Sequence, residues 1–298
     1  MLPAPLDTLL DRTIAPGYSR IGYALRARAW AQSDTDPGAL AGKVVAITGP
    51  TSGIGRAAAE ACRDLGADLV LIGRNADKTR RLAEELGGAE VEIADMSLLA
   101  SVRDLAGRLR GRALHALVHN AGVITDRRTE TAEGNEVTFA THVLGPHLLS
   151  RLLREHPPAR TVWVSSGGMY AQRLDPDDID RGGVGAYART KRMQVVLAEE
   201  WAIRTTRPVH AMHPGWVDTP GVSSGLPTFH RLTKPILRTP AQGADTIAWL
   251  VAADEPGHST GGFWHDRRRR PTHYLGRTRE TPSDREALWA ACERLTAD

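Results

Sequence analysis

The stretch Lys43–Gly55, KVVAITGPTSGIG, constrains this chain more than any other. Val44 to Ile47 form a short apolar run, the kind buried on both faces of a parallel sheet. They lead directly into a loop carrying Gly49, Gly53 and Gly55, and the Ala-rich segment Arg56–Leu65 that follows has helical character. A strand, a glycine turn and a helix in that order suit a dinucleotide pyrophosphate. Glycine lets backbone come close, and the start of the helix offers unbonded N–H groups and the positive end of its dipole. Thr48, Thr51 and Ser52 add hydroxyl donors. The spacing is Gly-x-x-x-Gly-x-Gly, not Gly-x-Gly-x-x-Gly, so the loop gains its meaning from the strand before it and the helix after it.

Downstream the pattern alternates. Strands are expected at Asp68–Gly73, Glu90–Ala94, Leu114–His119, Thr161–Ser165 and Val209–His213, with a short last one at Gly262–Trp264. Helices are expected up to Leu86, at Ser97–Leu109, Gly134–Arg154, Tyr187–Ile203 and Pro240–Ala252, with a final one at Asp284–Leu295. Repeated β-α units with near-continuous apolar strands predict an α/β fold: one Rossmann-type doubly wound parallel sheet with helices on both faces. The expected organisation is a helical arm and linker at 1–42, the sheet domain at 43–265 with a substrate lid at 216–239, and a basic segment and helix at 266–298. At 298 residues the chain is long enough for one such domain with a substantial core.

In the arm, Leu6, Leu9, Leu10 and Ile14 have helical spacing, Pro16-Gly17 breaks the pattern, and a second helical piece spans Ser19–Trp30. That piece mixes Ile21, Leu25 and Trp30 with Arg20, Arg26 and Arg28, a composition that suits a membrane surface or an arm docked on the domain; the docked arm is favoured. Gln32–Gly42 reads as a linker. The run Arg267–Arg270 reads as a solvated tail or a subunit contact. A net charge of +3 does not point to nucleic acid, and the histidines show no metal-ligand spacing with cysteines or carboxylates. Cys62 and Cys292 read as two free thiols of a reducing compartment. With no membrane-length apolar run and no secretory layout, a cytoplasmic location is expected.

Ligands of open parallel sheets gather at the carboxyl ends of the strands. The second strand ends at Gly73-Arg74, where an NAD-preferring site would carry an acid for the ribose 2′-hydroxyl. A solvated arginine at a helix start gives the same letters, but the missing acid tips the reading toward NADP, with Arg74 meeting a 2′-phosphate. The third strand ends at Asp95-Met96, where Asp95 can bond an adenine amino group or cap the next helix. The fourth ends in Asn120-Ala121-Gly122, small residues against which a ribose can sit.

TGPTSGIG, Asn120-Ala121-Gly122, Ser165-Ser166, Tyr187-x-x-x-Lys191 and Pro214-Gly215 occur in the order found in short-chain dehydrogenases/reductases, which the chain resembles from Lys43 to Trp264. Within that superfamily VSSGGMY, the acidic LDPDDID segment and HPGWVDTPGV are similar to the retinol-dehydrogenase-like branch and its family member 12 group. The resemblance implies an NAD(P)-dependent oxidoreductase, NADP favoured, acting on a lipophilic aldehyde or ketone or the matching alcohol. It makes Tyr187 the general acid or base, Lys191 its activator and a ribose ligand, and Ser166 the group that orients the substrate oxygen. Ser165, on the other side of the strand, is expected to point into the fold. It assigns the cofactor to Gly49, Thr51, Ser52, Gly53, Ile54, Gly55, Arg74, Asp95, Met96, Asn120, Ala121, Gly122, Tyr187, Lys191, Pro214, Gly215, Val217 and Thr219. Tyr187 and Lys191 lie one helical turn apart, so a cation sits beside a phenol that would otherwise be too weak an acid. Relatives carry an asparagine, supporting a relay water, where this chain has His142; a working relay and a weakly active NADP-binding sensor are both consistent with that change. Lid residues Trp216, Leu226, Phe229, Leu232, Ile236 and Leu237, with Met169 and Tyr170, are expected to face an apolar substrate or to pack the lid down. The resemblance also implies a homodimer through the helices at 134–154 and 187–203.

Overall fold

The computed structural model describes residues 2–30, 35–183 and 185–297. The Gln32–Gly42 linker therefore lies partly outside the described residues. Three short helices come first: α1 (Ala4–Arg12), α2 (Ala15–Tyr18) and α3 (Arg20–Ala27). Then follow β1 (Val44–Thr48), α4 (Gly53–Asp64), β2 (Asp68–Gly73), α5 (Ala76–Glu85), β3 (Glu90–Ile93), α6 (Leu99–Leu109) and β4 (Leu114–His119). The second half contains α7 (Val137–Phe139), α8 (Gly145–Leu152), β5 (Arg160–Val164), α9 (Ala186–Ala202) and β6 (Val209–Met212). The lid helices α10 (Pro220–Gly225) and α11 (Pro227–Thr233) precede α12 (Pro240–Ala252), α13 (Asp254–Gly257), β7 (Phe263–His265), β8 (Arg268–Arg270) and α14 (Pro282–Leu295).

The sheet order is β3-β2-β1-β4-β5-β6-β7-β8, parallel throughout except for β8, which runs antiparallel to β7. Chain order reverses between β1 and β4, which opens a crevice at their carboxyl ends. Successive strand residues alternate between two cores: Val45 and Ile47 pack with α4 and α12, whereas Ala46 packs with α6, α8 and α9. Cys62 and Cys292 belong to these two different cores, so the sheet stands between them and both are free thiols. Among the described residues no helix is long and apolar enough to cross a membrane.

The helix expected over 134–154 is not continuous. α7 passes into a π-turn, Ala140–Leu144, before α8 begins. Pro146 has no N–H to give the carbonyl of His142, four residues back, so that carbonyl is released and accepts the Gln194 amide at 3.0 Å.

Two terminal segments correct expectations. The arm docks on the domain, but with its charged side inward: Asp7, Asp11 and Arg26 are buried, while Leu6 (54% exposed), Leu9 (61%), Ile14, Ile21 and Leu25 face out. The arginine run is not a solvated tail. Arg268–Arg270 form β8, joined to β7 by a two-residue turn in which Asp266 and Arg267 both have positive φ, the type I′ pattern of a tight hairpin. Arg270 is buried against Asp7, and Arg267 forks onto Asp245 at 2.6 and 2.9 Å. At the other end, α14 lies on α9, with Trp289 edge-on to Trp201 and Arg285 bridging Glu199 and Glu200 at 2.7 Å.

Candidate active site

The crevice floor is built by glycine. Gly49 and Gly53 have φ of +66° and +53°. Gly55 is helical, but a Cβ there would lie 2.2 Å from the Gly49 carbonyl oxygen and 2.3 Å from Asn120 Nδ2, so no larger residue fits. The Asn120 amide donates to the carbonyls of Thr48 and Gly49 at 2.9 and 3.1 Å. The Thr48 hydroxyl accepts the N–H groups of Asn120 and Ala121 at 2.9 and 3.0 Å. Asn120 thus braces the glycine loop against β4, a use that strand-end position alone did not reveal. α5, α12 and α14 are capped by Asn75, Thr239 and Thr281, but Ser52 makes no side-chain cap on α4. Backbone glycines that tolerate no Cβ and an uncapped helix start are the donor set a pyrophosphate fits.

Around this floor lie the other predicted cofactor residues. Arg74 is exposed at the end of β2, with no carboxylate beside it in sequence. Asp95 is not a helix cap: its Oδ1 accepts the Ser97 N–H and hydroxyl at 2.9 and 2.7 Å. α6 is instead held by Glu133, which accepts from the N–H groups of Leu99 and Ala100 at 2.6 and 2.9 Å. Met96 is buried, its carbonyl against Gly145. Thr219 caps α10, and its side chain lies 3.1 Å from where a Gly53 Cβ would be, so the loop after β6 meets the glycine loop. Val217 and Ile54 pack at Gly243 on the far side of the same junction, and Gly215 has φ of +79° with Arg238 and the Tyr18 carbonyl against it. Gly122 lies against His142 Nε2, the Pro214 carbonyl accepts from Arg238 at 3.2 Å, and Thr51 is half-buried.

Ser166, Tyr187 and Lys191 converge where β5 ends. Ser166 starts the turn Gly167–Ala171, its hydroxyl accepting the Gly168 N–H at 3.3 Å, and its side chain lies beside the Tyr187 phenol. Ser165 points inward as expected, donating to the Lys191 carbonyl at 2.7 Å. Lys191 Nζ lies 5.5 Å from the Tyr187 ring centre and donates to the Val164 carbonyl at 2.8 Å. Burial pushes the Lys191 ammonium down to about 7. Burial also raises the Tyr187 phenol, against the lowering effect of Ser166 beside it. In the free chain Tyr187 is therefore a neutral phenol, a poised acid rather than a phenolate.

His142 stands beside this group, its ring edge-on to Tyr187 with centres 5.6 Å apart. The Val123 N–H donates to Nε2 at 2.9 Å, which leaves the proton on Nδ1, 2.8 Å from the Thr190 hydroxyl. Burial, with the Lys191 charge, holds the ring neutral far below its ordinary pKa. With both nitrogens taken, the side chain ties the loop after β4 to α9. The expected outcome for His142→Ala is a loss of about 2–4 kcal/mol in urea unfolding, because a cavity forms and a buried N–H loses its acceptor. Unchanged stability would refute this bracing role.

The lid is tied at its base: Asp218 N–H donates to the Arg238 carbonyl at 2.9 Å, and Arg238 N–H to the Trp216 carbonyl at 2.7 Å. Trp216 meets Phe229 edge-on at 5.2 Å; Leu237 is buried and Leu232 exposed. Met169 and Tyr170 are both buried, Met169 Sδ against Arg192 and Tyr170 stacked on Tyr274 with its hydroxyl donating to the Pro271 carbonyl.

Comparison with known proteins agrees with this geometry. A family model described as enoyl-(acyl carrier protein) reductase matches residues 49–254. Dehydrogenase/reductase SDR family member 12 of Bos taurus is 36% identical over 93% of both chains. Retinol dehydrogenase 12 of Homo sapiens is 32% identical over 86% of this chain and 87% of that one. A solved structure from Beutenbergia cavernae, provisionally described as an NAD(P)-dependent gluconate 5-dehydrogenase with bound NADP at low occupancy, is 27% identical. It superposes with a TM-score of 0.61 over 76% of this chain and 96% of that one.

Proposed function

We propose a function from one settled premise: the chain belongs to the short-chain dehydrogenase/reductase family and is an oxidoreductase. On that premise it moves a hydride between NADP and a lipophilic aldehyde or ketone, or the matching alcohol. The observation that carries this reading is the convergence of Ser166, Tyr187 and Lys191 at the carboxyl end of β5, with Lys191 Nζ 5.5 Å from the Tyr187 ring centre and bonded to the Val164 carbonyl. The bound nicotinamide would supply or accept the hydride at its C4. In the reducing direction Tyr187 gives its phenol proton to the substrate oxygen, which Ser166 holds. Lys191, once protonated, favours the phenolate left behind by its nearby charge. The competing reading is an NADP-binding sensor of little turnover; it draws on His142, whose ring nitrogens are both engaged, and is opposed by the intact Ser166–Tyr187 pair.

NADP preference rests on exposed Arg74 and the missing acid at the end of β2, and is supported by the NADP-bound relative. Arg74→Ala should weaken NADPH about ten- to a hundredfold in a fluorescence titration and leave NADH unchanged, since only the 2′-phosphate is lost as a partner. Equal weakening of both nucleotides would remove the basis for this preference. A lipophilic substrate is supported by the Trp216–Phe229 lid wall and by the retinol dehydrogenase relative.

A lipid surface as a second contact is favoured by the arm alone. Leu6, Leu9, Ile14, Ile21 and Leu25 are exposed among exposed Arg12, Arg20 and Arg28. The chain should sediment with vesicles containing phosphatidylserine, less at high salt, and Leu9→Glu with Ile21→Glu should abolish this. Equal recovery of both proteins would contradict a role for that face. A cytoplasmic location goes with the two free thiols.

A further inference from the structure

A second cavity lies away from the crevice, beneath the amino-terminal half of β5 and β6, between the carboxyl ends of α8 and α9; its volume is about 230 Å³. Its inner wall is apolar, made by Leu117, Val209 and the indoles of Trp163 and Trp201, with Pro157 and Pro158 at one side. Arg154, Arg204 and Arg207 stand on its rim, and all three are exposed. Arg204 is paired with Glu200 and lies over the Trp289 ring at 4.1 Å.

Charge at this cavity has one sign. Among the described residues no aspartate or glutamate lines it. A guanidinium only donates, and it forks onto a carboxylate. Ser150, on the same wall, is already engaged by His119 Nε2 at 3.0 Å. Apolar walls and cations at the mouth are complementary to one kind of molecule, a compact apolar body bearing an anionic acceptor. The volume exceeds the roughly 150 Å³ that accommodates benzene, leaving space for a ring and a carboxylate.

We propose that this cavity is an accessory binding site for a small apolar monocarboxylate, independent of the cofactor crevice. It is separate from the chemistry: Trp163 lies on β5 three residues before Ser166, and the crevice opens at the opposite ends of the strands.

The probe is phenylacetate, titrated into the whole chain by calorimetry with and without saturating NADPH. Saturable one-to-one binding with a Kd on the order of a millimolar or tighter is expected, unchanged by NADPH. Phenylacetamide, which keeps the ring and loses the charge, should bind at least about tenfold more weakly. So should phenylacetate to the double variant Arg154→Glu with Arg207→Glu, two exposed positions whose change leaves the core intact. Absence of saturable binding overturns the proposal, as does affinity indifferent to ligand charge or to the arginine reversals. Displacement by NADPH also overturns it, because the acid would then occupy the crevice.

Discussion

Tyr187→Phe should lower the rate of NADPH-dependent reduction of a lipophilic aldehyde by roughly 10²–10⁴-fold and leave NADPH affinity essentially unchanged. In the proposed mechanism the phenol is the proton source, and the ring that remains still fills its place beside His142 and Lys191. Steady-state kinetics set beside a binding titration separate the two effects. Because burial holds the phenol protonated in the free chain, reduction keeps its acid through neutral pH and oxidation gains as pH rises. A variant retaining wild-type turnover would move the proton source to another group.

Arg238→Met should cost about 3–5 kcal/mol, read from denaturant unfolding, although methionine fills much of the same space. Arg238 is 1% exposed and forks onto Asp266 at 2.6 and 2.8 Å. It also donates to the carbonyls of Gly17, Ser19 and Pro214 at 3.0, 3.2 and 3.2 Å. Burial alone would raise the Asp266 carboxyl, but His265, Arg238 and Arg26 outweigh it and hold the pKa far below the ordinary range. A depressed folded-state pKa contributes stability above the unfolded value, near 4, that is lost as pH falls below it. Removing Arg238 should therefore flatten the acid limb of the stability profile. It should also raise the aldehyde KM, since the same guanidinium joins the arm to the loop after β6. A loss under about 1 kcal/mol would mean that Arg26 alone satisfies Asp266.

Where local chemistry decided the outcome, the sequence was readable. β2 and β4 run from Asp68 to Gly73 and from Leu114 to His119 as expected, because each apolar run ends in residues that punctuate a strand. The glycine loop and the Tyr187–Lys191 turn were equally legible, since spacing alone puts these groups together. Long-range pairing was not. β8 consists of arginines, which read as solvent-facing until Phe263–His265 and the distant Asp7 give them partners. The arm's helical spacing was visible but not which face turns inward, because its partners Arg238, Asp266 and Arg270 lie more than two hundred residues away. Pro146 was a signal that passed unread; it marks the π-turn that frees the His142 carbonyl.

Hydride transfer is tested most directly by following an isotope from cofactor to product. The chain is incubated with nonanal and NADPH deuterated at the transferred position of nicotinamide C4, and the alcohol is analysed by mass spectrometry. One deuterium is expected on the carbinol carbon, with almost no alcohol from Tyr187→Phe. NADPH binding without labelled alcohol, across aldehydes and ketones of increasing length, would contradict hydride transfer and leave the sensor reading in its place.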